Sequence, residues 1–281
     1  TARCSLATLS VDLSRGKLGV KFFIRENMGI NPAMDLGMAT PAPRIRFGTR
    51  DEIETLVKVA DHMGRPEIGD MVILGVWTGQ RQADRMELED RGLINRRRIF
   101  RQNKTGAIVA VLESPDLKRR LAAAEKRRRG ARAQALLACE PGEREQIERR
   151  FRRVVLNELR HAQTKVIAWQ PYQGKVYTRA FSEIRDAAVK GVRHKNGLDW
   201  IVRPCPTLAD FHDADLRDTS VTWMALAGAT IPEIISVTGH TAASANTILK
   251  HYLAQHPEMA DAAIGKMMAW FDAGGETEIG L

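Results

Sequence analysis

Apolar residues recur at helical spacing along most of the chain, between short runs of turn-forming residues. A first helix is predicted after the capping sequence Thr49-Arg50-Asp51-Glu52; it continues to about His62 and breaks at Gly64-Arg65-Pro66. A second, more apolar helix follows from Ile68 and ends at Thr78-Gly79. Two consecutive helices of this kind predict a helical core for the domain.

A different pattern, rich in β-branched residues, follows in the next part of the chain. Arg97–Phe100 and Ala107–Leu112 flank the tight turn Asn103–Gly106, which predicts a hairpin. We expect the hairpin to belong to a small three-stranded sheet whose first strand lies near Met86–Asp90. The polar stretch Arg193–Cys205 is predicted to be a loop.

Helical periodicity returns after the hairpin and dominates the remaining chain. Two helices are predicted between Asp215 and Leu253, and others at Leu117–Leu137, Glu143–Arg153, Lys175–Ala188 and Pro257–Phe271. The predicted fold class is mainly α with a small antiparallel β-sheet, an α+β domain.

Two composition changes divide the chain. Two prolines in the six residues Met38–Pro43 predict a linker, so residues 1–40 are expected to end a preceding helical domain. A large domain is then expected at residues 44–271 and a flexible tail at residues 272–281. Because Thr1 opens in what reads as mid-domain sequence, we expect the chain to be a fragment that lacks an N-terminal module.

The charge balance favours a polyanionic partner. The 281 residues contain 43 Lys and Arg against 34 Asp and Glu, a formal net charge of +9, which is typical of nucleic-acid-binding proteins. Among the clustered basic residues, those expected to contact a DNA backbone are Arg96, Arg97, Arg98, Arg101, Lys118 and Arg119.

Other function classes find no support in the sequence. The three cysteines, Cys4, Cys139 and Cys205, are far apart and lack metal-ligand spacing, so neither a disulfide framework nor a zinc site is expected. No apolar run approaches the ~20 residues that span a bilayer, and no signal peptide is visible. A reducing cytosol, in a bacterial cell and close to its nucleoid, is the expected location, with no membrane partner.

An unusual set of reactive residues lies within Asp215–Leu253. Arg217, His240 and Tyr252 supply a planar cation, a group that can transfer a proton near neutral pH and a phenol. Cleavage of a phosphodiester by transesterification needs a nucleophilic oxygen, cations on the non-bridging oxygens and an acid for the leaving oxygen. The set therefore predicts chemistry at a phosphate.

With four motifs in order, the chain resembles the tyrosine recombinases, or phage integrases. Residues Thr78–Asp84 (TGQRQAD) are similar to the family's TGxRxxE/D box, and Asn103–Gly106 is similar to its mobile β-turn with a lysine. Asp215–Thr219 is similar to the LRxT box. Thr238-Gly239-His240, followed by His251-Tyr252, is similar to the GH…Y end of the family. The resemblance covers residues 44–271.

The resemblance implies a role for each matching residue. Arg81 and Arg217 would clamp the scissile phosphate, and Tyr252 would attack it to form a 3′-phosphotyrosine link. Lys104 would protonate the leaving 5′-oxygen, and His240 would contact the phosphate or transfer a proton. No metal or nucleotide cofactor is implied. The implied partners are double-stranded DNA attachment sites, further copies of the chain in a tetramer on DNA, and an accessory directionality factor.

Two positions beside the arginines differ in how well they match. Asp84 occupies the acidic position that follows Arg81 in the first box. Three residues before Arg217, where the family usually has His or Lys, this chain has Ala214, and the histidine is His212. Either His212 reaches the site through a two-residue insertion, or its role is missing.

Structural explanations exist for the same residues. An ion pair with Asp213 or Asp218 would explain Arg217, an ordinary turn would explain Lys104, and core packing would explain Tyr252. The final helix carries an apolar stripe that would pack on its own domain or, as the resemblance implies, on a neighbouring copy.

Two functions besides a site-specific recombinase remain open. A relaxing enzyme like the type IB topoisomerases would use the same chemistry without strand exchange. A basic DNA-binding or architectural protein with a degenerate catalytic set would bind without cutting, and Ala214 favours that reading.

Overall fold

A computed structural model describes residues 46–91, 93–241, 243 and 257–272. The expected linker, the end of the preceding domain expected at residues 1–40, Tyr252 and the C-terminal tail lie outside these residues. The longer helices are α1 (Arg50–His62), α2 (Pro66–Thr78), α4 (Pro115–Ala138), α6 (Gly174–Lys190), α7 (Asp215–Leu226) and α9 (Pro257–Asp272). Shorter helices are α3 (Gln82–Met86), α5 (Arg144–Phe151) and α8 (Ile231–Thr238), and the strands are β1 (Arg97–Arg101), β2 (Ile108–Leu112), β3 (Val192–Arg193) and β4 (Trp200–Val202).

Helix α2 forms the centre of the fold. It contacts α1, α4, α6 and α7, and ten of its thirteen residues are buried. Gly75 allows α7 to approach closely, because a Cβ at this position would lie 3.0 Å from the Cβ of Leu216. The two arginine motifs are attached to this contact, since α2 ends at the first motif and α7 carries the second.

The first hairpin was predicted correctly, but the expected third strand is wrong. Strands β1 and β2 pair antiparallel in a sheet of two strands. Glu89, within the expected strand, makes only an isolated bridge to Arg153. The reason is that Leu88–Asp90 uses its backbone groups on the segment after α5, where the N–H of Val154 donates to the carbonyl of Leu88.

The predicted loop at Arg193–Cys205 is also wrong, because this stretch contains the hairpin of β3 and β4. The guanidinium of Arg193 lies over the ring of Trp200 at 3.9 Å from its centroid, and it donates to the carbonyl of Gly197 in the turn. A cation–π contact across two short strands stabilises a hairpin that the polar composition conceals.

Helix α4 is basic on all sides in the sequence, yet its arginines fall into two groups. Arg120 and Arg127 point toward α2, where both pair with the buried carboxylate of Asp70 at 2.5 Å. Lys118 and Arg119 are exposed. The inward arginines attach α4 to the central helix, and the outward ones are left to face solvent.

None of the helices in the described ranges is long and apolar enough to cross a membrane.

Candidate active site

The site forms where two neighbouring helices, α2 and α8, each end at a glycine. Gly79 ends α2 with φ 61° and Gly239 ends α8 with φ 66°, both in the left-handed region that favours glycine. A Cβ on Gly79 would lie 2.7 Å from Thr238, and one on Gly239 would lie 2.5 Å from Gln102. The two glycines therefore permit both the backbone turn and the close approach of the two motifs.

Arg217 lies between these two helix ends. It is 8% exposed, its Nη1 donates to the carbonyl of Gly79 at 2.5 Å, and its Nε donates to Nε2 of His240 at 3.1 Å. Its Nη2 is buried and has no hydrogen-bond partner among the described residues. Burial, followed by the nearby charge of Arg81, lowers the pKa of Arg217 to about 10, so it remains a cation at neutral pH. One N–H pair of a buried cation is thus left for an anion.

The ring of His240 is held at both nitrogens. Because Nε2 accepts from Arg217, the proton is assigned to Nδ1, which lies 2.8 Å from Oγ1 of Thr238. The hydroxyl of Thr238 donates in turn to the carbonyl of Ile234 at 2.7 Å. Burial and the charges of Arg217 and Arg81 lower the pKa of His240 to about 3. In this arrangement the imidazole is neutral and orients Arg217.

Arg81 is more open to solvent, with a side chain 28% exposed at the start of α3. Its Nη1 donates to Oε1 of Gln102 at 3.1 Å and lies 3.8 Å from Oδ2 of Asp84. Asp84 is buried, and its other oxygen accepts from the backbone N–H of Asn103 at 2.8 Å. Asp84 therefore connects Arg81 to the turn that carries Lys104.

Gln102 is a member of the site that the motifs did not indicate. It is fully buried, and its amide nitrogen donates to Oε1 of Gln80 and to the carbonyl of Thr238, both at 2.7 Å. Its oxygen accepts from Arg81 and, at 2.9 Å, from the hydroxyl of Thr105. All four hydrogen-bonding positions of the amide are occupied, by groups from three separate motifs. The only sequence signal is its position just before the turn.

A buried ion pair, which the sequence analysis also missed, connects the two arginine motifs in the protein interior. Arg85, one residue after Asp84, donates to Oδ2 of Asp213 at 2.5 Å, and the hydroxyl of Tyr177 donates to Oδ1 at 2.6 Å. Burial and the carboxylate of Asp213 raise the pKa of Tyr177 well above its usual value, so it stays a donor. Asp213 thus pairs with Arg85 and precedes α7, which holds Arg217.

Two predicted site residues, Lys104 and His212, are not brought into these contacts. Lys104 is exposed in the hairpin turn, and Tyr252 lies outside the described residues. His212 is exposed, and its backbone N–H donates to Asp215 at the start of α7. Its ring has no described contact with Arg217 or Arg81.

One member of the expected backbone-binding set, Arg98, is buried. Arg98 faces inward on the buried side of β1 and pairs with Glu113 at 2.5 Å and with Asp90 at 3.4 Å. Alternation along the strand explains the difference, because Arg97 and Arg101 lie on the opposite, exposed face. The exposed members of the set are Arg96, Arg97, Arg101, Lys118 and Arg119.

Among the residues that the structure covers, no group of three His, Cys, Asp or Glu side chains could hold a metal ion. The described site is built from guanidinium, imidazole and amide groups. Such groups bind and orient an oxyanion.

Comparison with known proteins identifies the fold. No family model matches the chain, and no curated protein matches it by sequence. The crystal structure of a lambda integrase (75–356) dimer bound to a COC′ core site matches with a TM-score of 0.54 and 17% identity, over 86% of this chain and 73% of that one. A Tn1549 transposon integrase in complex with transposon right end DNA matches with a TM-score of 0.55 and 16% identity, over 95% of this chain and 81% of that one.

A third solved structure contains the longer lambda integrase chain. This tetramer, bound to a Holliday junction, matches with a TM-score of 0.53 and 17% identity, over 85% of this chain and 59% of that one. At such identities the likeness concerns the fold alone. The fold is that of tyrosine recombinase catalytic domains, as the motifs implied.

Proposed function

We propose that the chain is a site-specific DNA recombinase of the integrase type, which cuts and rejoins DNA through a 3′-phosphotyrosine. One observation carries the proposal: among the described residues, the buried Nη2 of Arg217 has no hydrogen-bond partner, and it lies near the second cation, Arg81. An unpaired N–H of a buried cation is costly unless a ligand satisfies it. A phosphate oxygen is suited to both guanidiniums at once.

The proposed reaction has two balanced steps. The phenol of Tyr252 loses its proton to solvent as its oxygen attacks the scissile phosphorus, the bond from phosphorus to the 5′-oxygen breaks, and that oxygen takes a proton from the ammonium of Lys104. A 5′-hydroxyl of a partner strand then gives its proton back to the amine of Lys104 as it attacks the phosphotyrosine. The bond from phosphorus to the Tyr252 oxygen breaks, the phenol regains a proton from solvent, and a new phosphodiester forms. The number of phosphate ester bonds is unchanged, so neither a nucleotide nor a metal cofactor is required.

The other residues would hold this machinery in position. Arg217 and Arg81 bind the non-bridging oxygens, where negative charge increases as the phenol attacks. Neutral His240 keeps the Arg217 fork oriented. Asp84 and Gln102 hold Arg81 against the turn of Lys104, so the acid and the clamp are positioned together.

The test is capture of a covalent adduct. Duplexes that bind the protein would be enriched from a random pool and then prepared with a nick beside each cleavage position. The short fragment that cleavage releases next to a nick cannot religate, so the covalent adduct accumulates. A protein–DNA adduct that survives denaturation, and that disappears in Tyr252→Phe and Arg217→Gln while duplex binding remains, is the expected result. Tight binding without an adduct would instead identify a DNA-binding protein with a degenerate site.

A second experiment separates the recombinase from a relaxing enzyme. Two copies of the enriched site on one supercoiled plasmid should recombine into products of defined size. Relaxation of the plasmid without recombinant products would assign topoisomerase-like activity.

We also propose that the protein assembles with copies of itself on DNA, as a tetramer. Helix α9 exposes a row of large apolar side chains, which a monomer in water would ordinarily bury. They include Ile264, Met267, Met268, Trp270 and Phe271, each at least half exposed. The lambda integrase structures, a DNA-bound dimer and a tetramer on a Holliday junction, are consistent with such assembly.

Deletion of residues 257–281 tests the assembly. We expect the shortened chain to bind one site as a monomer and to lose the slower complex that joins two sites in a gel. Unchanged joining of two sites would contradict the role of α9. An accessory directionality factor would show itself by changing which pair of sites is recombined.

A further inference from the structure

We propose that the protein has a second phosphate-binding site, in a cavity on the segment between β2 and α6. The cavity has a volume of about 620 Å³ and lies between the end of α4, the helix α5 and the residues Gln170-Pro171. This volume falls in the range of small-molecule sites, ~300–1,000 Å³. No residue of the proposed strand-transfer site lines it, so the inference stands independently of that function.

Three arginines give the cavity its charge. Arg149, Arg150 and Arg153 line it together with one carboxylate, that of Glu143. Within the described part of the chain, no carboxylate lies within 4.0 Å of any of these three guanidiniums. Arg150 and Arg153 are half-buried, and in this they differ from the half-buried Arg120 and Arg127 and the buried Arg98, which all pair with carboxylates. The cavity thus gathers three cations that have no carboxylate partner within 4.0 Å among the described residues.

Arg150 has an unmet hydrogen-bonding requirement. Its Nε is buried and has no partner among the residues described. The guanidinium is held by stacking, at 5.1 Å from the centroid of the Phe151 ring. A buried N–H of a cation without an acceptor is destabilising, and the guanidinium that carries it belongs to a residue that lines the cavity.

The remaining lining indicates what the anion is attached to. Phosphate suits the arginines because each guanidinium can donate two parallel N–H bonds to its oxygens. Ile147, Ala138 and Pro171 provide apolar contact, and the amides of Gln146 and Gln170 can donate and accept. We infer a phosphate ester with an organic portion. Its source is either a free nucleoside phosphate or the backbone of a nucleic acid.

A cysteine in the lining of the cavity can report whether a ligand is bound. Cys139 is a free thiol in the lining, and Cys205, another free thiol, lies outside it. Thiol labelling of the full chain, read by mass spectrometry of the peptides, would be measured with and without inorganic pyrophosphate at constant ionic strength. We expect pyrophosphate to slow the labelling of Cys139 at least about fivefold at saturation while the rate at Cys205 stays the same.

Parallel samples identify the source of the phosphate. Protection of Cys139 by adenosine diphosphate as well as pyrophosphate would assign a nucleoside phosphate. Protection by duplex DNA alone, lost as salt increases, would assign the nucleic-acid backbone. Equal labelling rates with every one of these compounds would overturn the proposal.

Matched variants test the arginines directly. Arg150→Gln and Arg153→Gln each remove one cation. We expect each variant to bind the protecting compound with an affinity lower by about tenfold or more, because loss of a hydrogen bond to a charged group typically has this effect. Arg144→Gln removes the same charge from the same helix outside the lining and should bind like the unaltered protein. An equal loss of affinity in all three variants would indicate general charge attraction and would reject a specific site formed by the lining arginines. Should Arg150→Gln unfold, Arg150→Lys, which keeps the charge but loses the fork, makes the same comparison.

Discussion

The Nε–H of Arg217 donates to Nε2 of His240 across 3.1 Å, so a cation uses the imidazole as an acceptor. Protonation of His240 would place two cations face to face. This relationship explains why the histidine stays neutral and why an anion in the site would change both groups at once.

The first prediction concerns pH. The pKa of His240 is about 3 in the folded protein and about 6.5 in the unfolded chain, so its contribution to stability is complete above pH 6.5 and is lost as the pH falls from 6.5 toward 3. The slope for one proton cannot exceed about 1.4 kcal/mol per pH unit, and solvent screening reduces it. Urea unfolding at pH 7.5 and 5.0 should show a smaller pH effect in His240→Gln.

The control is an exposed histidine close to the same site. His212→Gln should keep the pH dependence of the unaltered protein, because the ring of His212 has no described contact with Arg217 or Arg81. A pH effect that is identical in both variants and the unaltered protein would refute the neutral, arginine-bound imidazole.

The second prediction concerns Gln102. Gln102→Ala leaves Oε1 of Gln80 and the carbonyl of Thr238 without their donor, at a cost of ~1–3 kcal/mol for each buried group that water cannot reach. Because Arg81 also loses its partner, adduct formation should slow more than DNA binding weakens. Gln134→Ala, at an exposed glutamine on α4, should leave the unfolding free energy, DNA binding and adduct formation unchanged. A Gln102→Ala protein with normal stability and normal adduct rate would show that the amide is dispensable.

The third prediction compares a buried ion pair with an exposed one. Asp213→Asn leaves the charge of Arg85 unpaired in the interior, and the free energy of unfolding should fall by ~3–5 kcal/mol. Asp116→Asn breaks the exposed pair with Arg119 on α4 and should cost less than ~1 kcal/mol. Denaturant titration measures both. Equal losses would mean that the Arg85–Asp213 pair does not hold the two arginine motifs together.

The fourth prediction concerns the two helix-ending glycines. Gly79→Ala and Gly239→Ala force a side chain into the left-handed region and against a neighbour, so each should lower the unfolding free energy by more than ~1 kcal/mol. Gly130→Ala, inside α4 with open space around it, should instead stabilise the protein by up to ~1 kcal/mol. The test is whether the melting temperature falls in Gly79→Ala and Gly239→Ala and rises in Gly130→Ala.

Residues with a local signal were the ones that the sequence could identify. The helix cap at Thr49, the glycine after α2 and the turn before β2 are each determined by neighbours in the chain, and the structure has them where they were predicted. The order of the four motifs likewise implied the fold that the comparisons show.

Features that depend on distant partners could not be read in the same way. Arg98 looked like any other member of a basic run, yet the pleat of β1 turns it inward toward Glu113. Asp213 appeared as a candidate partner of Arg217, but it pairs with Arg85, which is 128 residues away. The partner of a buried charge is set by packing, and packing has no signature within a few residues of either member.

The ion pairs that join α4 to Asp70 have a consequence for how the molecule can diversify. The segment from α4 to the start of α6 is attached to the central helix and supplies none of the residues proposed for strand transfer. Changes of length or composition in this segment that keep Arg120 and Arg127 can therefore accumulate without moving Arg81 or Arg217. A lineage could acquire or lose the proposed ligand of the arginine-lined cavity while the proposed chemistry on DNA is inherited unaltered.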